Sequence, residues 1–127
     1  MKYIKKLLIL TFHTANLLLI TFYLYPGAIF GYILHGDSSI QLQFTKDFII
    51  SSNHLYAFII LSTLGIIAYQ NTKKIKFIIV YLFFLSIILE LFHLIIPNRE
   101  FEMSDLFGNI TGIVLVIIIY KVKNRHV

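Results

Sequence analysis

The sequence predicts an all-α protein, a four-helix transmembrane bundle, on three observations. Hydrophobic residues fill 58% of the 127 positions and the mean hydropathy is +0.84, well above that of soluble chains. The apolar residues gather in four runs, each close to the 20 or so residues that a helix needs to cross about 30 Å of hydrocarbon. The basic residues stand between these runs rather than in them. At this length residues 1–127 are read as a single membrane domain, since no linker, internal repeat or low-complexity tract divides them.

The first span, about residues 7–25, follows Lys2, Lys5 and Lys6. Its apolar run exceeds the h-region of a secretory signal and no Ala-x-Ala site follows, so the segment is expected to stay in place as a span. Tyr23, Tyr25, Phe30 and Tyr32 at its far end fit an interfacial aromatic belt, as does Tyr120 beside Lys121 at the other membrane face. His13 and Asn16 share a helical face and are expected to make interhelical contacts. Residues 26–47 include the alternating stretch Ile40-Gln41-Leu42-Gln43-Phe44, which reads either as a short strand or as a surface-lying segment.

The second span, about 48–69, begins with a polar stripe of Ser51, Ser52 and His54 that must face protein rather than lipid. The third, about 77–96, carries Glu90 and His93 one turn apart and is ended by Pro97, which cannot continue a helix. The fourth, about 104–120, is short enough to require snorkelling ends or local bilayer thinning. Its β-branched stretch from Ile113 to Ile119 would favour a strand in water, but an open strand in lipid leaves its backbone unpaired, so a helix is expected. Gly108 and Gly112 form a small-residue pair suited to close helix packing.

The net charge of +5 invites comparison with nucleic-acid binders, but the positions of the charges point elsewhere. Lys2, Lys5 and Lys6, then Lys73, Lys74 and Lys76, then Lys121, Lys123 and Arg125 all flank spans. The intervening loops hold only Lys46 and Arg99 among five acids. Positive-inside bias therefore predicts cytoplasmic N and C termini, and no nucleic-acid partner. The chain has no cysteine, which excludes disulfides, thiolate catalysis and thiolate-bound metals. There is no nucleophile elbow, phosphate-binding glycine loop or His-Glu-x-x-His helix, so no metal site is expected and no cofactor is named by the residues.

Ionisable groups inside a span cost a few kcal/mol and are functional candidates by default. With this topology and a rise of about 1.5 Å per residue, Glu90 lies within roughly 10 Å of the outer boundary and His54 reaches the same level from the opposite direction. Asp105 and Asn109, four residues apart, share one face at the start of the fourth span. Together with His93 and Arg99 these residues are expected to converge in an extracytoplasmic pocket. Glu90, His54 and Asp105 are the catalytic candidates. Arg99, Asn109 and His93 are the binding candidates, Arg99 because its fork suits a phosphate or carboxylate, His93 because it can orient Glu90. Each has a plainer reading as well, in which Glu90 pairs with Arg99 or a histidine, Arg99 snorkels, and Asn109 bonds across helices.

The run His54-Leu55-Tyr56-Ala57-Phe58, then Glu90-x-x-His93, Pro97-Asn98-Arg99 with Phe101 and Glu102, and Asp105-x-x-x-Asn109-x-x-Gly112 resembles the VanZ-like family of bacterial membrane proteins over about residues 44–120. The resemblance implies a multi-pass protein of the cell membrane, associated through the family's namesake with low-level resistance to teicoplanin. The chain departs from the family pattern at four places: His93 stands where Gln is usual, Asn98 where Gly is usual in the turn, and Val116 where a second Gly often follows. Ile50 and Ser51 occupy the place of an Asp-Lys pair, with Lys46 and Asp47 lying upstream in reversed order.

Three functions are then open: an enzyme acting on an anionic envelope lipid or lipid-linked cell-wall precursor, a non-catalytic binder or transporter component for the same headgroups, and a scaffold. Membrane lipids, and with them a lipid-linked precursor, are the expected partners.

Overall fold

The computed structural model describes residues 2–125. Among them are five helices and no strand: α1 (Lys2–Leu24), α2 (Ile29–His35), α3 (Ser52–Tyr69), α4 (Ile75–Phe92) and α5 (Met103–Arg125). Four of these, all but α2, are long and apolar enough to cross a membrane. Large apolar side chains such as Leu17, Phe77, Phe84 and Ile119 stay exposed on their outer faces, as lipid contact requires. Inside, Phe12, Phe58, Leu61, Leu82, Leu89 and Ile113 are almost fully buried.

In lipid there is little hydrophobic gain from joining helices, so close packing and hydrogen bonds must hold them. The pair α3 and α5 shows how. A Cβ on Gly108 would stand 2.6 Å from the Ser51 carbonyl oxygen, and one on Gly112 would stand 2.7 Å from that of Leu55. Only the missing side chains let the two backbones approach this closely. At the same end the Ser51 amide donates to the Ser104 carbonyl at 3.1 Å, joining the start of α3 to the start of α5. Elsewhere His13 Nε2 meets the Tyr69 hydroxyl at 3.0 Å, and Asn16 donates to the Tyr81 hydroxyl.

Several expectations shift in detail. The fourth helix is longer than its apolar core, continuing through Lys121 to Arg125. The third stops at Phe92, so His93 is its C-cap and residues 93–96 run on as turns toward Pro97. Residues 40–44 form no strand. They lie against the start of α3, where Asn53 accepts from the Phe44 amide at 3.2 Å and donates to the Leu42 carbonyl at 2.7 Å. The short helix α2 was not apparent from the apolar pattern; it ends at Gly36, whose φ of 69° is the left-handed conformation common after helices.

α3 is capped by a residue from outside it. The Ser52 amide donates to Asp47 Oδ1 at 2.7 Å, and this bond holds the Asp47 carboxyl below its usual range. The acid missing from its expected place beside His54 thus reaches the same helix end from five residues upstream.

Candidate functional site

Four helix ends meet at one end of the bundle, and each brings a polar side chain within three residues of its terminus: Tyr23 on α1, His54 on α3, Glu90 on α4 and Asp105 on α5. The lysine clusters lie at the opposite end, because α1 and α4 run towards the polar cluster and α3 and α5 away from it. Asn109, one turn further along α5, is fully buried, as is Glu90.

Glu90 has two unlike oxygens. Oε1 accepts the Glu102 amide at 3.1 Å and lies 3.3 Å from His93 Nδ1. Oε2 is buried with no hydrogen-bond partner, 3.9 Å from His54 Nδ1. An orphaned oxygen of this kind costs about 1–3 kcal/mol or more when it belongs to a charged group.

Proton positions follow from the partners. His93 Nε2 lies 3.0 Å from the Tyr23 carbonyl, which can only accept, so Nε2 carries hydrogen. The contact between His93 Nδ1 and Glu90 Oε1 therefore holds one proton, on either atom. On the other side the Tyr23 hydroxyl donates to Asn109 Oδ1 at 2.7 Å. Its single hydrogen is then used, so His54 Nδ1–H donates to the Tyr23 oxygen at 3.1 Å. That leaves His54 Nε2 facing Asp105 Oδ2 at 3.3 Å, a second shared proton. The arrangement is two histidine–carboxylate couples joined through one tyrosine, and each can give or take a proton.

Arg99 stands at the rim. Its Nε donates to the Tyr25 carbonyl at 3.1 Å and its Nη2 to the Phe22 carbonyl at 2.9 Å, so it satisfies the C-terminal end of α1. Three of its five N–H groups remain for another partner. Burial lowers its pKa from the ordinary arginine value.

A cavity of about 730 Å³ opens over this cluster. His54, His93 and Arg99 line it together with Asp47, Glu100, Glu102 and Asp105. One ring nitrogen of His54 and one oxygen each from Glu90 and Asp105 lie within 4.8 Å of one another, a spacing that could hold a metal ion.

Five of the six candidates, His54, Glu90, His93, Asp105 and Asn109, thus share one hydrogen-bonded or ion-paired cluster, and Arg99 lines the same cavity. Glu90 pairs with histidines and not with Arg99. The residue that sequence reasoning missed is Tyr23. It is not part of an aromatic belt: it is buried, its ring stacked 5.9 Å from that of His93 and tilted 4.9 Å from that of His54. One signal was available, since His13, Asn16 and Tyr23 recur at helical spacing on a single face of α1.

A family model described as VanZ/LLP1 matches residues 10–124 of the chain. Comparison with curated proteins and with solved structures gives no match.

Proposed function

The chain belongs to the VanZ/LLP1 family, and from that premise we propose that it is a multi-pass protein of the bacterial cell membrane that takes the anionic headgroup of an envelope lipid, or of a lipid-linked cell-wall precursor, into an extracytoplasmic pocket and processes it there. A lowered susceptibility to glycopeptides such as teicoplanin follows from that processing. The reading is supported above all by Glu90, a buried carboxylate with one oxygen engaged by His93 and Glu102 and the other free toward His54. A carboxylate kept only to lock helices together would have both oxygens satisfied.

In this mechanism Arg99 meets the headgroup with its remaining N–H groups, and Asn109, through Tyr23, fixes the ring of His54. His54 and Asp105 exchange a proton with the group under attack, while Glu90 and His93 supply the compensating one. The alternative is a non-catalytic binder of the same headgroups, in which Arg99, held against α1 by two of its donors, presents the other three.

Glu90→Gln separates the two. It preserves shape and removes the charge. Teicoplanin susceptibility of expressing cells and binding of a short-chain anionic lipid to the purified variant are measured together. Processing predicts loss of the cellular effect with binding within about threefold of wild type, since hydrogen bonding by the amide persists. Parallel loss of both favours the binder, and no change in either contradicts both readings.

A further inference from the structure

The charge balance of the cavity is at odds with an anionic occupant on its own. Arg99 is the one lysine or arginine among its lining residues, against the carboxylates of Asp47, Glu100, Glu102 and Asp105, with Glu90 directly behind His54. Like charges at such distances repel by a kcal/mol or more even in a partly aqueous setting, so a phosphate entering here needs a countercharge.

We propose that His54, Glu90 and Asp105 bind a divalent metal ion of the Zn²⁺ or Mn²⁺ class, and that this ion bridges the protein to the headgroup phosphate; the bridging step rests on the headgroup reading, the ion site does not. Three independent features point to it. The ligand atoms come from three helices and lie within 4.8 Å of one another. An ion with bonds of about 2.0–2.2 Å holds neighbouring ligands about 3.3 Å apart, which His54 Nε2 and Asp105 Oδ2 already meet at 3.3 Å, while the Glu90 oxygen, within 4.8 Å of the other ligand atoms, closes in when the ion binds. Second, Glu90 Oε2 is fully buried, beside the His54 ring and without a hydrogen-bond partner. Third, the outer partners of a metal site are in place: His93 and the Glu102 amide hold Oε1 and so turn Oε2 inward, and the Tyr23 hydroxyl fixes the ring of His54.

One imidazole and two carboxylates suit Zn²⁺ and Mn²⁺ better than a thiolate-seeking ion such as Cu⁺. Three protein ligands leave coordination positions open for a phosphate oxygen. His93 is a positioning residue here and not a ligand, so a glutamine, which can also donate to Oε1, serves at position 93.

The full chain in phosphatidylcholine nanodiscs, titrated calorimetrically with Zn²⁺, tests the site. Wild type is expected to bind one ion per chain. His54→Ala, Glu90→Gln and Asp105→Asn each weaken binding by about tenfold or more, whereas His93→Gln stays nearer to wild type and His35→Ala, on the exposed helix α2, is unchanged. Equal binding in Asp105→Asn and wild type, or none in wild type, overturns the proposal.

Because a variant can fail to fold, the wild type provides a second readout. Zn²⁺ should slow modification of His54 by diethyl pyrocarbonate without slowing that of His35, and equal rates with and without Zn²⁺ overturn it. A short-chain phosphatidylglycerol is then titrated with and without the ion. Tighter lipid binding with Zn²⁺ supports the bridge. A bound ion with no lipid binding leaves the site standing and removes the headgroup reading. Lipid binding that is indifferent to Zn²⁺ overturns the bridge and leaves the headgroup reading in place.

Discussion

Asn98 carries the backbone through the turn after α4 at φ 59°, the one non-glycine residue among those described with positive φ. The left-handed region costs an ordinary L residue about 1–2 kcal/mol, and asparagine is the type that tolerates it best after glycine. This accounts for Asn where the family's turn usually has Gly. The turn matters because it sets Arg99 against α1 and leads into Glu102, whose amide reaches Glu90. Asn98→Ala is expected to lower stability by about 1 kcal/mol relative to Asn98→Gly, read from thermal unfolding in detergent; equal melting of the two variants would show that the turn is not strained. The same scale explains what the sequence left open at Tyr23. An aromatic residue near a span end is usually an interfacial anchor, and only the fold reveals that its hydroxyl lies between His54 and Asn109.

At the scale of elements, the packing of α3 on α5 places His54 over Asp105. A Cβ on Gly108 would come within 3.2 Å of the His54 Cβ and 2.6 Å of the Ser51 carbonyl, which is backbone and cannot swing away. Gly108→Val is therefore predicted to push the helices apart and destabilise the bundle by about 1–3 kcal/mol, with loss of whatever binding the cavity supports. Unfolding in graded sodium dodecyl sulfate measures the first effect; wild-type stability in that variant would contradict the close approach. The four long helices were legible in the sequence because hydropathy over some 20 residues is a strong signal and lipid excludes irregular backbone. Their ends were less so. α4 stops at Phe92, four residues before its apolar run does, because hydropathy reports what can sit in lipid and not where the chain must turn. α2, at seven residues, is too short for an apolar period to show, and the strap at residues 40–47 depends on bonds to Asn53 and Ser52 that no periodicity encodes.

Across the whole molecule the helix directions sort the charges. Nine lysines and arginines named above flank the ends of the helices far from the cluster, and the acids line the cavity at the other end. The candidate site was legible as a set of residues at one depth, since an ionisable group in a span stands out against hydrocarbon. Its pairing was not: Glu90 was equally ready to meet Arg99 or a histidine until α1 was seen to take the arginine. The orientation in the membrane carries the proposed access of envelope lipid to the pocket, and it rests on positive-inside bias. The chain has no native cysteine, so a single one can be placed at will. Labelling of Glu100→Cys, at the exposed mouth of the cavity, and of Asn71→Cys, in the turn between α3 and α4, by a membrane-impermeant maleimide in intact bacteria tests this most directly. Rapid labelling at 100, with labelling at 71 only after lysis, is the expected result; the reverse pattern would contradict an extracytoplasmic pocket.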